Sequence, residues 1–263
     1  MPARTVISIL VWDSPIYTRN LLLNLDWAVP GKDCRIIILD QGSAEETRSF
    51  VRSYAAERPN VMALLLDRNI GYGAGHNLVY RSALEGGAFD YFITLNSDSL
   101  FPEPGWADEM VGAMDANPDA AIGGPLGYGI RDSYFVPSSK QQLASGDFLF
   151  ITGAVAIIRA KAVREHGLFD EIYTPAYWED ADMVLRYRHY GWRQLFVDIP
   201  ILHGYLGEKI KVNQQKREQL KAEFGEFQNR NMREFMTRYL GPQRAALKSD
   251  PLSWSPRLFR PGP

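Results

Sequence analysis

The stretch "YFITLNSDSL", residues 91–100, joins a short apolar run to a polar end, and this junction decides the fold. Its apolar half, 91–95, is too short for an independent helix and suits a strand that is covered on both faces. Asn96 and Asp98 follow where that strand would end. Because ligands of open α/β sheets bind outside the carboxyl ends of the strands, this position predicts a functional role for the Asp98 carboxylate.

Three similar apolar runs precede it: "TVISILVW" (5–12), "CRIIILD" (34–40) and "VMALLLD" (61–67). Segments with helix-like spacing lie between the runs, and Ser43 followed by Glu46 predicts an N-cap with a capping box for the second helix. Strands that alternate with helices indicate an α/β fold with right-handed crossovers. We therefore expect a mostly parallel central sheet flanked by helices.

The later part of the chain is less regular. Residues 123–146 are rich in Gly, Pro and Ser and predict a surface excursion or loop. The pattern indicates one α/β domain over 1–207, then a C-terminal helical extension over 208–240 that Gly225 would break or kink. The apolar stripe of this extension is expected to pack on the domain or on a second subunit, as in a homodimer. Residues 241–263 predict a Pro-rich extended tail.

The amino-acid composition limits which binding partners and which cellular compartment are expected. A formal net charge of −2 gives no global attraction to nucleic acid or to anionic lipid. Cys34 is the only cysteine, so no internal disulfide forms, which is compatible with a reducing cytoplasm. The apolar run at the N-terminus is interrupted at Asp13, and no other run approaches the length of a membrane span. We expect a soluble cytoplasmic protein, either free or peripheral to a membrane.

Polar residues follow each of the first four predicted strands: Asp13, Asp40, Asn69, Asn96 and Asp98. Each alone is equally suited to a helix cap or a turn. Because parallel strands end at one edge of a sheet, the set together predicts a polar crevice there.

Two other nucleotide-binding classes fit the sequence poorly. A Rossmann dinucleotide site needs a third glycine where "NIGYGAGHN" (69–77) has His76, and this segment follows the third strand instead of the first. A sugar-activating nucleotidyltransferase is expected to carry a glycine-rich, basic loop after strand one, where this chain has "WDSPIYTRN".

Taken in order, six pieces of the chain between about residues 5 and 205 resemble family 2 glycosyltransferases of the GT-A fold. They are "ISILVWDSPIYTRNLLLNL", "IIILDQGSAEET", "NIGYGAGHN", "LNSDS", "FITGAVAIIRAKAVREHGLFDE" and "YWEDADMVLRYRHYGWR". Each piece alone is weak, whereas the ordered set is specific.

The resemblance implies a donor site for a nucleoside diphosphate sugar of the UDP, dTDP or GDP type. Asp40 in "LDQGS" matches the acidic residue that contacts the base, and the turn at Trp12 and Asp13 would form the other side of the pocket. The implied nucleotide-sugar-binding set is Trp12, Asp13, Asp40, Asn69, Gly71, Asn77, Asn96 and Asp98.

The resemblance also implies a divalent metal, Mn²⁺ or Mg²⁺, bound to the diphosphate. Asp98 in "NSD" matches the metal motif, and His203 in "ILHG" falls where many members have a further ligand, although a histidine in a surface turn explains the sequence equally well. Asn96 departs from the two-acid pattern of the motif and offers an amide oxygen without charge. We therefore expect weaker metal affinity.

The resemblance also implies catalytic residues in "WED" (178–180). Asp180 matches the catalytic base, and Glu179 beside it would bind the acceptor or tune the site. Without the resemblance, the favourable interaction of acidic side chains with a helix N-terminus would be enough to explain the presence of both residues. Tyr177 and Trp178 are suited to stacking on an acceptor sugar or to core packing. Gly153 would permit close backbone approach near the acceptor or donor, or tight strand packing.

The expected function is an inverting, metal-assisted glycosyltransferase that acts on a hydroxyl acceptor. The alternative is a non-catalytic protein of the same fold that binds a nucleotide or a glycan, which the neutral Asn96 favours. The acceptor is open between a lipid-linked glycan, a polysaccharide, a protein and a modified base. The sequence does not indicate nucleic acid.

Overall fold

The computed structural model describes residues 4–28, 33–131, 134–204 and 218–240. The strands are β1 (Thr5–Val11), β2 (Cys34–Gln41), β3 (Val61–Leu66), β4 (Tyr91–Asn96), β5 (Ser99–Leu100), β6 (Ala120–Gly124), β7 (Gly127–Arg131), β8 (Tyr134–Pro137), β9 (Phe150–Ile151), β10 (Val155–Arg159), β11 (Arg193–Phe196) and β12 (Leu202–His203). The helices are α1 (Pro15–Trp27), α2 (Glu45–Ala56), α3 (Tyr72–Glu85), α4 (Trp106–Ala116), α5 (Lys140–Ser145), α6 (Ala160–His166), α7 (Glu179–His189), the described part of α8 (218–224) and α9 (Phe227–Leu240).

Seven strands form the central sheet in the order β11-β6-β10-β4-β1-β2-β3. β1 runs parallel to β2 and β4, and β2 runs parallel to β3. The mostly parallel sheet predicted from the apolar runs is confirmed, and each run matches its strand to within one residue at either end.

β10 is the exception in direction, since it runs antiparallel to both β4 and β6. Its first residue, Val155, therefore lies opposite Leu95 near the end of β4. The backbone N–H of Asn96 donates to the carbonyl of Ala154 over 2.8 Å. The segment that enters β10 thus meets the polar end of β4 at the same edge of the sheet.

Helices cover both faces of the sheet, because side chains alternate along each strand. On one face, Val6 and Leu10 of β1 pack with α3, α6, α7 and α9. On the other, Ile7 and Ile9 pack with α1, α2 and α4. Ser8 is fully buried on the first face and is paired with His76 of α3. The continuous apolar runs therefore reflect strands buried on both sides.

Residues 123–146, expected to be a loop, instead form regular structure. β7 pairs with β8 and β9 in a small antiparallel sheet, and α5 follows with a capping box between Ser139 and Gln142. Gly127 is closely packed, because a Cβ there would lie 2.5 Å from Cδ2 of Leu143, whose side chain would have to shift. Strands this short carry little periodicity, and glycine is depleted from typical strands, so the sequence indicated a loop.

The described part of the C-terminal extension is helical over 218–224 and in α9. Gly225 adopts φ 70° between α8 and α9 and so interrupts the helix. Phe227, Phe235 and Met236 of α9 are buried within this chain, so the apolar stripe packs on the domain. Residues 241–263 and 208–217 lie outside the described ranges. No described helix is long and apolar enough to cross a membrane.

Candidate active site

A cavity of about 240 Å³ opens at the edge of the sheet where β1, β2 and β4 end. Its walls come from six separate segments of the chain. The lining residues are Leu10, Val11, Trp12, Ser14, Tyr17, Gln41, Asn69, Gly71, Tyr72, Asn96, Ser97, Asp98, Pro175, Ala176 and Leu220. The predicted polar crevice therefore exists, and five of the eight residues expected to bind a nucleotide sugar line it: Trp12, Asn69, Gly71, Asn96 and Asp98.

Asp40 lies beside the cavity and is fully buried. Its Oδ1 accepts a hydrogen bond from the backbone N–H of Ser43 over 3.2 Å and lies 3.8 Å from Nε of Arg48. Its Oδ2 accepts no hydrogen bond from the described residues. The next residue, Gln41, is the one that faces the cavity.

Asp13 joins the end of β1 to the start of α2. Its Oδ1 accepts from the backbone N–H of Ala44 over 2.7 Å, and its own N–H donates to Oγ of Ser43 over 3.0 Å. The predicted capping box is therefore wrong: α2 begins at Glu45, and its N-cap, Ala44, makes no side-chain cap. Ser43 bonds a distant turn instead of its own helix.

Gly71 is held against the segment that precedes α7. Its φ of 93° and ψ of 170° place it in a region that only glycine adopts readily. A Cβ would lie 2.8 Å from the carbonyl oxygen of Pro175, which accepts from the N–H of Tyr72 over 2.6 Å. Asn69 supports this turn, because its Oδ1 accepts from the N–H of Gly71 over 2.8 Å.

Asn77 does not line the cavity. Its Nδ2 donates to the carbonyl of Phe169 and to Oε1 of Glu171, each over 2.9 Å. Its Oδ1 accepts from the N–H of Phe169 over 3.1 Å. The structure thus gives this side chain partners that fasten α3 to the segment before α7.

Asp98 lines the cavity, and His203, which is distant in sequence and is not a lining residue, contacts it. Pairing of β5 with β12 brings the backbones together, and the N–H of Gly204 donates to the carbonyl of Asp98 over 2.8 Å. Nε2 of His203 lies 3.3 Å from Oδ1 of Asp98 and makes no aligned hydrogen bond within the described residues. A carboxylate oxygen and an imidazole nitrogen that converge in this way fit a divalent cation such as Mn²⁺.

Asp98 and His203 would supply two protein ligands to such a cation. Within the described residues, no group of three or more His, Cys, Asp or Glu side chains could hold a metal. Asn96 lines the same cavity and carries no charge. A cation at this wall would therefore need further oxygen ligands from water or from a bound diphosphate.

Asp180 is held by three donors at the start of α7. Its Oδ2 accepts from Oγ1 of Thr152 over 3.0 Å and from the N–H of Gly153 over 3.2 Å. Its Oδ1 accepts from the N–H of Ala181 over 2.8 Å. Burial raises the pKa of Asp180 above its usual value, although these donors act in the opposite direction. The result is an oriented carboxylate that is more basic than an ordinary one.

Glu179 is more deeply buried than its neighbour, with 5% of its surface exposed. Burial, followed by the charge of Asp180, raises the pKa of Glu179 well above its usual value. Its Oε2 has no hydrogen-bond partner among the described residues. The adjacent acids therefore differ in environment: backbone N–H groups favour the charged form of both, and Asp180 also accepts from the hydroxyl of Thr152.

A chain of hydrogen bonds connects Asp180 to the cavity. The hydroxyl of Tyr72, a cavity-lining residue, donates to the carbonyl of Gly153 over 2.6 Å, and Oγ1 of Thr94 donates to the same oxygen over 2.6 Å. A Cβ on Gly153 would lie 2.6 Å from the Tyr72 hydroxyl. The predicted close approach at Gly153 is therefore made by a side chain of this protein.

The two aromatic residues before the acids differ in exposure. Tyr177 is 37% exposed and lies parallel to the ring of Phe227, with centroids 6.1 Å apart. Trp178 is buried and packs on Phe235, with centroids 4.8 Å apart. The structure accounts for Trp178 as a packing residue, and its role toward an acceptor stays a prediction.

Sequence reasoning missed several residues of the site. Tyr128 of β7 stacks on Phe150, and burial raises the pKa of its hydroxyl, as do the negative charges of Asp180 and Asp98. Tyr128 therefore lies within electrostatic range of both predicted functional acids. Its segment was expected to be a loop, and no local signal marks Tyr72 either.

His76 lies beneath the site, where its Nδ1 is 2.7 Å from Oγ of Ser8 and its ring contacts Tyr72. Burial lowers its pKa from 6.5 to about 3, so the folded protein keeps it neutral while the unfolded chain protonates it below pH 6.5. Stability therefore falls as the pH drops through 6.5. We expect His76 to contribute a loss of about 2 kcal/mol between pH 6.5 and 5, measured by urea unfolding.

His76→Gln should lose this dependence and unfold with a shallower pH profile. His189→Gln, at an exposed histidine, is the control and should keep the wild-type profile. Parallel profiles for wild type and His76→Gln would contradict the assignment.

The fold and this site define a glycosyltransferase, and the chain belongs to glycosyl transferase family 2. The model of that family matches residues 18–167, more than half of the 263 residues. The predicted family, fold class and enzyme class are confirmed. Because this family is a family of enzymes, membership favours the transferase over the non-catalytic alternative.

The chain is also similar in sequence to one individual protein. The succinoglycan biosynthesis protein ExoA of Rhizobium meliloti (strain 1021) is 26% identical over 178 residues, which cover 63% of this chain and 52% of ExoA. The chain thus spans about half the length of that relative.

Two solved structures share the fold. The mannosyltransferase PcManGT from Pyrobaculum calidifontis, in complex with GDP-Man and Mn²⁺, has a TM-score of 0.62 at 14% identity, over 98% of this chain and 78% of the other. GalNAc-T7 with UDP, GalNAc and Mn²⁺ has a TM-score of 0.64 at 13% identity, over 97% of this chain and 58% of the other. At these identities the likeness shows the fold.

Proposed function

We propose that this glycosyltransferase moves a sugar from a nucleoside diphosphate donor of the UDP, dTDP or GDP type to a hydroxyl acceptor, with inversion at the anomeric carbon. One observation carries the proposal. Asp98 lines the cavity and lies 3.3 Å from His203, and Tyr72, another lining residue, donates to the carbonyl of Gly153, whose own N–H donates to Asp180.

The cavity supplies groups suited to the donor. Trp12 offers an aromatic face on which a base can stack, and the amides of Gln41 and Asn69 offer polar contacts nearby. The buried Asp40 Oδ2 accepts no hydrogen bond from the described residues, so it fits a donor N–H of the base. Relatives of the same fold were solved with GDP-Man or UDP, which supports this class of donor.

Asp98 and His203 would hold the divalent cation, Mn²⁺ or Mg²⁺, beside the diphosphate. When bound there, the cation supplies Lewis-acid stabilisation of the charge on the leaving diphosphate. Two relatives of the fold were solved with Mn²⁺. The neutral Asn96 leaves Asp98 as the single charged residue of the "NSD" motif.

Asp180 would remove the proton of the acceptor hydroxyl as that oxygen attacks the anomeric carbon. Thr152 and the N–H of Gly153 fix the carboxylate, and burial raises its pKa, which makes it a stronger base while it still ionises. A single displacement opposite the leaving diphosphate inverts the anomeric configuration. Glu179, with its strongly raised pKa, would tune the charge beside the base.

A donor screen tests the proposal. A nucleotide sugar that binds the folded state at a hundredfold excess over its Kd should stabilise the protein by about 2.7 kcal/mol, which thermal melting in the presence of Mn²⁺ would detect. Asp98→Asn should lose the Mn²⁺-dependent part of this shift, because it removes the charged ligand. Asp108→Asn, at an exposed acid of α4, is the control and should keep it.

The donor identified in this way is then supplied with candidate acceptors, and NMR of the product reports the anomeric configuration. We expect the configuration opposite to that of the donor. Retention would contradict the single displacement, and absence of both transfer and donor hydrolysis would contradict the proposed function.

A further inference from the structure

The turn that leads into α7 has an unusual backbone. Tyr177 adopts φ 73° and Trp178 adopts φ 82°, so two consecutive residues with side chains are left-handed. Such conformations are unfavourable for L-residues and persist only where the surrounding structure holds them. Asp180 follows two residues later, so the direction of this turn sets the position of its carboxylate.

Asn231 of α9 holds this turn from below. It is fully buried, and its Nδ2 donates to three carbonyl groups: that of Tyr173 over 2.6 Å, that of Ala176 over 3.0 Å and, more weakly, that of Tyr177 over 3.4 Å. One side-chain amide therefore donates hydrogen bonds to three carbonyl groups of a single irregular segment. A carboxylate or an apolar side chain could not replace it, because neither donates.

Further contacts from α9 reinforce the same segment. Arg230 donates from Nη2 to the carbonyl of Thr174 and from Nε to Oδ1 of Asn231. Arg238 and Tyr239 both donate to the buried Oδ1 of Asp182, over 2.8 and 2.7 Å. Together with the rings of Phe227 and Phe235, these contacts fix α9 along the turn and the first turn of α7.

The opposite side of the segment faces the site. Pro175 and Ala176 line the cavity, and the carbonyl of Pro175 accepts from the N–H of Tyr72. The segment is thus bonded to α9 on one side and to the cavity wall on the other. Displacing it would move both the wall and the start of α7.

We propose that Asn231 is a positioning residue for sugar transfer: it holds the left-handed turn at 177–178 so that Asp180 meets Thr152 and Gly153. The inference rests on the proposed function, because it takes Asp180 as the base. It also makes α9 part of the active site, although α9 lies outside residues 18–167, which carry the match to the family.

Asn231→Asp tests this role, since it keeps the shape of the side chain and the Oδ1 acceptor but places an oxygen against the three carbonyls. We expect kcat to fall at least 10-fold, and by a larger factor than any change in the donor KM. The acid limb of the pH–rate profile should move to higher pH, because a displaced Asp180 loses donors that favour its charged form. Asn229→Asp, at an exposed position of the same helix, is the matched control and should leave kcat and the profile unchanged.

Hydrogen exchange gives a readout that does not depend on turnover. The N–H groups of Tyr72 and Gly153, which bond the turn and Asp180, should exchange at least 10-fold faster in Asn231→Asp, while Ile38 in β2 should not change. If Asn231→Asp does not fold, Arg230→Ala removes a surface contact to the same turn, and we expect about a threefold loss of kcat with faster exchange at Tyr72.

Faster exchange together with a lower kcat supports the inference. Unchanged kcat in a folded Asn231→Asp overturns it, whatever the exchange shows, and so does unchanged exchange at both amides. A wild-type protein without transfer or donor hydrolysis would instead overturn the proposed function, and the exchange data would still report whether Asn231 holds the turn.

Discussion

Asp180→Asn is expected to lower the turnover of sugar transfer by about 10²- to 10⁴-fold, the usual range for losing a general base. Asparagine keeps the shape of the side chain, and its oxygen can still accept from Thr152 or Gly153. It cannot take the proton of an attacking hydroxyl. Steady-state release of nucleoside diphosphate in the presence of acceptor measures the effect.

The fold should survive this change. Burial already disfavours the charged form of Asp180, so loss of the charge itself should cost little, but the new Nδ2 meets the N–H of Ala181 or Gly153, and we expect a small decrease in melting temperature. Asp108→Asn, at an exposed acid in the first turn of α4, is the matched control for turnover. Full turnover in a folded Asp180→Asn protein would remove Asp180 from the role of base.

Gly71→Ala is expected to cost about 3 kcal/mol or more of unfolding free energy, measured by urea denaturation. Two effects act together. The φ of 93° with ψ of 170° is strained for any residue with a Cβ, and that Cβ would lie 2.8 Å from a backbone oxygen of Pro175, which cannot rotate away. Relief requires the segment before α7 to move, so donor binding should weaken as well.

Two other glycines separate these effects. Gly105 also has a positive φ, 84°, but a Cβ there would have no neighbour within 4 Å, so Gly105→Ala should cost only about 1 kcal/mol. Gly112, inside α4, has open space and an ordinary φ, so Gly112→Ala should stabilise by about 1 kcal/mol. Equal losses for Gly71→Ala and Gly105→Ala would show that the contact with Pro175 carries no cost.

The sheet could be predicted well because its first four strands are covered on both faces, mostly buried in β1, β2 and β4 and half-buried in β3, which produces continuous apolar runs. The same logic failed at 123–146, where β7 and β8 are short, β7 contains two glycines, and the segment leaves no periodic pattern. The capping box at Ser43 failed for a different reason. Its hydroxyl had a better partner in the turn after β1, and a local rule contains no information about that turn.

The strand ends predicted a polar crevice, and the cavity lies there. The resemblance implied metal-ligand roles for Asp98 and His203, and the structure brings the two side chains together, while their role stays a prediction. Asn231 and Tyr72 were not predictable, since they act on carbonyls distant in sequence through contacts that only the tertiary structure creates. Asn77 is the opposite case. It belongs to "NIGYGAGHN", the segment that the resemblance associates with the nucleotide, but its side chain bonds to Phe169 instead of lining the cavity.

The reversed direction of β10 has a consequence for how this protein can diverge. The chain leaves the site edge of the sheet at the end of β6 and returns to the same edge at the start of β10, so the described residues between these strands begin and end at that edge. Changes in the earlier part of that stretch, which holds β7, β8 and α5, leave the order of the central strands unchanged, whereas Gly153 and Ala154 at its end are hydrogen-bonded to β4. We therefore expect the small sheet to vary in sequence while the seven central strands keep their order.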